Sequence, residues 1–178
     1  MKLRRLDYSE YQGEDREWKL EGCTFRDVNL LVGRNATGKT RTLNVIRALA
    51  RQLSEASQTP LSSGRFDTEF TTESETVSYL LEYHQRVIMD ETLIINGKTY
   101  LKRAAEGKGK IWAEAIQQEI DFQLSPHQPA AYAKRDKIQH PFLEKLYTWG
   151  NELRRYDFGL PLGKDRLVLP IAVGQDDV

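Results

Sequence analysis

Apolar residues recur along this chain with two periods, and the changes between them mark its elements. Residues 3 to 8 and 18 to 25 read as two short strands, with Gly13 and the charges around it in the turn between them. Residues 28 to 32 form a compact apolar run broken only by Asn29, the pattern of a strand buried on both faces in a parallel sheet. Residues 33 to 38 supply a loop. From Lys39 the period becomes helical: Leu43, Ile46, Ala50 and Leu53 share a face, Val45 and Leu49 widen the stripe, and the helix is expected to fade near Ser57, before Pro60.

Residues 57 to 68 are rich in Ser, Thr and Gly and read as a loop. In the next section Val77, Tyr79, Leu81 and Tyr83 alternate with Ser78, Leu80 and Glu82, as in a half-buried strand. Thr92 to Ile95 is β-branched and apolar, and Asn96-Gly97 follows, a two-residue hairpin signal because both turn positions need positive φ. Residues 68 to 103 therefore read as an antiparallel meander, and 104 to 110 as a Gly/Lys loop. Residues 111 to 124 fit both periods: Trp112, Ile116 and Ile120 suit a helix, while Ile120, Phe122 and Leu124 suit a strand. Pro126, Pro129 and Pro141 punctuate what comes next. Residues 142 to 156 read as a helix with Pro141 set for its first turn and Phe142, Leu146, Trp149 and Leu153 on one face. No element is assigned in the tail, 157 to 178, which holds Gly159, Pro161, Gly163 and Pro170. The expected architecture is a single mixed α/β domain: strands and first helix over 1–57, a β-meander over 68–103, a helical or mixed region over 111–156 and an irregular tail.

Composition narrows the function classes. The chain has 178 residues, 39% hydrophobic and 29% charged, as expected of one globular domain able to bury a core. Lys plus Arg number 26 and Asp plus Glu 26, so no global charge points to nucleic acid. Cys23 is the only cysteine, which excludes an internal disulfide and fits a reducing cytoplasm. The basic first residues lack the apolar run of a signal peptide, and no stretch has the length and apolarity of a membrane span.

One motif carries chemistry. Gly33-Arg34-Asn35-Ala36-Thr37-Gly38-Lys39-Thr40 matches G-x-x-x-x-G-K-[ST] at every fixed position. In such a loop consecutive backbone N–H groups curl around a phosphate, and glycines stand where side chains would collide. The following helix adds its first N–H groups and its dipole. Lys39 is expected to supply an ammonium to the β- and γ-phosphates, Thr40 a hydroxyl to Mg²⁺, and Arg41 to lie at the nucleotide. ATP and Mg²⁺ are the ligands this pattern predicts.

Asn35 gives the form G-x-N-x-x-G-K-[ST], which resembles the ABC-type ATPases, including the structural-maintenance-of-chromosomes, RecF-like and OLD-like branches. The N-terminal strand pair and Asp27-Val28-Asn29-Leu30-Leu31-Val32-Gly33 look like the opening of those domains. Residues 79–83, Asp90-Glu91-Thr92-Leu93 and Asn96-Gly97-Lys98 look like the β-meander of small bacterial ABC-like ATPases that carry AAA names. The resemblance covers residues 3 to 56 and extends more loosely over 68 to 156. It implies the N-terminal lobe of a P-loop NTPase with an antiparallel β-subdomain. The family's signature motif, Walker B strand and switch histidine belong to a C-terminal half that this sequence does not show. The resemblance therefore implies ATP hydrolysis through a composite site shared with a second ATPase lobe or subunit. It also implies a DNA-repair or anti-phage setting, with an effector nuclease or DNA as further partner.

Other signals are weaker. Val87-Ile88-Met89-Asp90-Glu91 imitates a Walker B strand, in which Asp90 would hold the Mg²⁺ shell and Glu91 orient the attacking water. A meander turn is the plainer reading, and the catalytic one would make the chain a self-contained NTPase or kinase. Leu61-Ser62-Ser63-Gly64 imitates an ABC signature but reads as loop. By resemblance, a Q-loop glutamine reaching Mg²⁺ would be Gln123, Gln128 or Gln139. His84, His127 and His140 lack metal-ligand spacing. Lys134, Arg135 and Lys137, with Asp136 among them, read as a solvated face. Tyr8, Tyr11 and Trp18 read as core aromatics or as a stacking surface for adenine. A non-catalytic nucleotide-sensing module is the remaining alternative.

Overall fold

The computed structural model describes residues 1–34, 37–55 and 62–156. Eight strands form one open antiparallel sheet in the order β2-β1-β3-β4-β5-β6-β7-β8. They are β1 (Lys2–Glu10), β2 (Trp18–Thr24), β3 (Ser63–Thr71), β4 (Thr76–His84), β5 (Val87–Ile95), β6 (Lys98–Ala104), β7 (Lys108–Ala113) and β8 (Gln118–Gln123). Among the described residues three α-helices accompany them: α1 (Lys39–Ser54), the single turn α2 (Ala130–Ala133) and α3 (Pro141–Glu152). From β3 onward each strand pairs with the next in the chain, whereas β1 sits between β2 and β3, with Lys2 opposite Thr71 and Ser9 opposite Arg65.

Period-two alternation decides which side of the sheet is covered. Leu6, Tyr8, Phe66, Phe70, Val77, Tyr79, Leu81, Tyr83, Leu93 and Leu101 turn toward the helices and are buried. Between them point Arg5, Asp67, Arg65 and Glu82, which pair with one another on the opposite face. α1 contributes Val45, Leu49 and Leu53 to the core, and α3 contributes Phe142, Leu143 and Leu146. The two helices touch where Gly150 meets α1: a Cβ on Gly150 would lie 2.5 Å from the Ala50 carbonyl oxygen. Trp149 packs edge-on against Phe70 at 4.9 Å and fixes α3 to the sheet.

The strand pair, the start of α1, the Asn96-Gly97 turn (φ 49° and 81°) and a helix opened by Pro141 stand as the sequence pattern predicts. Several readings need correction, among them the end of the helix expected over 142–156, which stops at Glu152 and leaves Leu153 as an extended C-cap. Residues 28–32 are not a buried parallel strand: they lie outside every element, with Val28 89%, Leu30 84%, Leu31 40% and Val32 78% exposed. A strand needs neighbours to take its amides and carbonyls, and the sheet this chain builds ends at β2. The core face of α1 runs through Thr42, Val45, Leu49 and Leu53, so Leu43, 44% exposed, points away from it. The expected 57–68 loop gives way to β3 at Ser63, which places Ser63 and Gly64 of the signature-like stretch in a strand. The meander runs on beyond 103: the expected 104–110 loop is a 3₁₀ turn and the start of β7, and 111–124 holds the end of β7, a 3₁₀ turn and β8. The tail from 157 onward lies outside the described residues, as do Asn35, Ala36 and 56–61. Among the described residues no helix is long and apolar enough to cross a membrane.

Candidate nucleotide site

α1 begins where Gly38 allows it to. Gly38 caps the helix at φ 90° and ψ 4°, a left-handed conformation that side chains resist. The Thr42 amide and hydroxyl both donate to the Gly38 carbonyl, at 2.9 and 3.1 Å, and anchor the first turn there. Gly33 is required for another reason: a Cβ at this position would fall 2.8 Å from Thr37 Oγ1. That hydroxyl donates to the Arg34 carbonyl at 2.9 Å, so the two ends of the loop close on each other.

Lys39 folds back over this closure. Its ammonium lies 2.6 Å from both the Gly33 and Arg34 carbonyl oxygens and donates to each. The first turn of α1 contains no acidic residue of its own, so the helix dipole and the Lys39 charge reinforce each other. The Thr40 side is exposed at the same helix head. This donor set suits a phosphate with a hard cation: an ammonium, a helix N-terminus and a free-standing hydroxyl.

The head of α1 is braced from the sheet. Glu10, buried at the end of β1, accepts from the Tyr8 hydroxyl at 2.8 Å and pairs with the Arg41 guanidinium. Arg41 in turn lies 4.4 Å over the ring of Trp18, the first residue of β2. The Trp18 ring also backs Gly38, 3.6 Å from where a Cβ would stand. Burial pushes the Tyr8 hydroxyl well above its ordinary pKa, so it remains a donor to Glu10. Arg41 is therefore committed to a structural clamp. Glu10 was not among the residues singled out from the sequence, although the signal is there: it continues the inward parity of Leu6 and Tyr8.

The remaining candidates fall elsewhere. Glu91 is 0% exposed in the middle of β5. Its two oxygens accept the Ala130 and Ala131 amides at 2.7 and 2.8 Å and the Tyr79 hydroxyl at 3.0 Å, with Arg103 at 3.4 Å. Burial pushes its carboxyl above the usual range against the pull of those donors. Arg103 also donates from Nη1 to the Gln128 carbonyl and from Nη2 to the Ser125 carbonyl. The pair is thus a peg holding the 125–131 segment and α2 to the sheet. Asp90 accepts from the Thr92 hydroxyl at 2.9 Å within its own strand, so the 87–91 run is strand, not the turn expected for it.

Gln123 ends β8, Gln128 lends only its carbonyl to Arg103, and the Gln139 backbone joins Asp136 and Glu114. No hydrogen bond among the described residues ties any of the three to the loop. His127 and His140 face the Arg86 and Trp112 carbonyls, and no metal-holding cluster occurs among the described residues. Arg135 pairs with Glu144 at 3.0 Å and stacks on Tyr147 at 3.3 Å, so the basic cluster is partly spent on α3. A concavity of about 800 Å³ lies between Lys2, Thr71, Lys145 and Trp149, away from the loop, and mixes charges of both signs. Comparison with family models, with curated proteins and with solved structures returned no match, so the loop and its brace stand on their own geometry.

Proposed function

We propose that this chain binds ATP with Mg²⁺ at residues 33–40 and forms the N-terminal lobe of an ABC-type ATPase. The observation that carries the reading is the Lys39 ammonium, held 2.6 Å from the Gly33 and Arg34 carbonyls at the head of a braced helix. A triphosphate offers that ammonium better acceptors than neutral carbonyls, because bonds between charged partners are roughly twice as strong as neutral ones. Lys39 would neutralise phosphate charge, the amides at the start of α1 would cradle the phosphate, and the Thr40 hydroxyl would hold Mg²⁺. The cation would supply charge neutralisation between the β- and γ-phosphates.

Hydrolysis calls for a residue that positions water, and the placement of Glu91 favours a composite site over a self-contained one. Both Glu91 oxygens are spent on α2, on Tyr79 and on Arg103 beneath the sheet's covered face. The missing groups would come from a second lobe or subunit, with an effector nuclease or DNA as the downstream partner class.

Calorimetric titration of the chain with ATP and Mg²⁺ tests the binding step. Saturable binding abolished in Lys39→Ala supports the reading, and undiminished binding in that variant sinks it. Turnover measured with and without a candidate second lobe then tests the composite step.

A further inference from the structure

The helices cover one face of the sheet, and a single row of residues across the other face carries its charges in order. The ladder register sets Asp7 opposite Asp67, Asp67 opposite Leu80, Leu80 opposite Thr92, Thr92 opposite Lys102 and Lys102 opposite Lys110. Each member is the chain neighbour of a core residue (Leu6, Phe66, Leu81, Leu93, Leu101 and Ile111 in turn), so the whole row lies on the uncovered side. From β1 to β7 it reads acidic, acidic, apolar, hydroxyl, basic, basic. Both ends are like-charged cross-strand pairs, an arrangement that destabilises an isolated sheet. At the acidic end the one guanidinium of Arg5 pairs with both carboxylates and leaves them a net negative charge. At the basic end Lys102 and Lys110 are exposed, and neither forms an ion pair among the described residues, although Asp121 stands opposite Lys110.

We propose that this face is the interface of a homodimer, in which a second copy of the chain packs sheet on sheet about a two-fold axis running along the strands between β4 and β5. That axis exchanges the two halves of the row. Asp7 then meets the copy's Lys110, Asp67 meets its Lys102, and Leu80 meets its Thr92. A two-fold interface makes each contact twice, so the six positions are matched from end to end. The adjoining row brings Glu82 over the copy's Asp90, and Arg65, 2.5 Å from Glu82, already offsets that charge. Strands β1 and β3 to β7, spaced about 4.8 Å, span about 24 Å, and their nine-residue members run about 30 Å. The face thus offers roughly 700 Å² per copy, against about 800 Å² in a stable complex of standard size. α1 and the lysine loop belong to the other side of the sheet, so this dimer does not depend on nucleotide binding.

Sedimentation velocity of the full chain without nucleotide tests it, over protein concentrations from about 1 to about 100 μM. The parent chain is expected to dimerise. Lys102→Glu and Asp67→Lys should each raise the dimer dissociation constant at least about tenfold, because like charges then face each other across the axis. An equimolar mixture of the two variants should dimerise again, since each reversed charge meets its opposite. A parent chain that stays monomeric throughout the range overturns the proposal. So does a dimer that survives Lys102→Glu at parental strength, or a mixture of the two folded variants that remains monomeric. Should Asp67→Lys lose strand content by circular dichroism, the exposed lysines decide alone. Dissociation in the double variant Lys102→Glu, Lys110→Glu with strand content retained upholds the interface, and an undiminished dimer refutes it.

Discussion

Trp18 lies beneath the guanidinium of Arg41, 4.4 Å from its ring centroid, while that guanidinium is paired with Glu10. Two strand ends thereby grip the first turn of the helix on which the proposed nucleotide site is built. Removing the ring in Trp18→Ala takes away the cation–π contact and the wall behind Gly38, together about 1 kcal/mol. The expected outcome is ATP affinity reduced roughly three- to tenfold in calorimetry, with strand content by circular dichroism retained.

Among the described residues the Lys39 ammonium hydrogen-bonds only to Gly33, Arg34 and Thr37 of the loop, so its removal separates binding from folding. Lys39→Ala is expected to shift the urea midpoint by less than about 0.5 kcal/mol equivalent. Its ATP affinity should fall at least about tenfold, since a charge-assisted bond to phosphate contributes 1.5–3 kcal/mol by general experience.

Glu91→Ala should behave in the opposite way. The substitution leaves the Arg103 guanidinium buried without its carboxylate and strips the Ala130 and Ala131 amides of their acceptor. Breaking such a pair costs about 3–5 kcal/mol, read as a lower denaturant midpoint. Asp90→Asn, which disturbs one hydrogen bond to Thr92, should cost about 1 kcal/mol or less. Loss of ATP affinity in folded Glu91→Ala would contradict the structural role.

Gly150→Ala probes the seam between α1 and α3. Alanine is normally favoured in helices by about 1 kcal/mol over glycine. Here the added methyl would stand 2.5 Å from the Ala50 carbonyl oxygen and 3.2 Å from the Ser54 Cβ. Overpacking outweighs propensity, and a net loss of about 1–2 kcal/mol is expected in thermal or denaturant unfolding.

Asp136 gives a pH-dependent signature. Its carboxylate accepts the Ile138 and Gln139 amides at 2.7 and 2.8 Å, and these bonds hold its pKa below the usual range. A lowered folded-state pKa means stability present above the ordinary aspartate range and lost as pH falls through the folded value. The Tm of Asp136→Ala should lie below that of the parent near neutral pH, and the gap should close below about pH 4. A gap constant from pH 7 to pH 3 would rule out this linkage.

Local chemistry was legible in the sequence wherever a short-range rule governs it. Gly38 before a helical period, Asn96-Gly97 between alternating runs and Pro141 ahead of Phe142 each specify a backbone conformation within a few residues, and each is found. Errors arose where the answer depends on distant partners. The run 28–32 has the composition of a buried strand, yet burial requires a neighbour, and β2 closes the sheet instead. Leu43 and Val45 are equally apolar, and only the position of the sheet decides which of them faces inward. Glu91 followed an apolar run and so mimicked a catalytic acid. Its link to Arg103 and α2 spans up to 40 residues of sequence, which no local pattern displays. At the site itself, the loop and its lysine were plain to read, whereas the Glu10–Arg41–Trp18 clamp needs three elements placed together.

The insertion of β1 between β2 and β3 sets an order of assembly. Strands β3 to β8 can zip up hairpin by hairpin, each closing a short loop. β1 finds Thr71 only across almost seventy intervening positions, a search that loop-closure entropy makes slow. α1 lies within that enclosed stretch, as does the lysine loop, so the site should ripen last, once the first strand has threaded home.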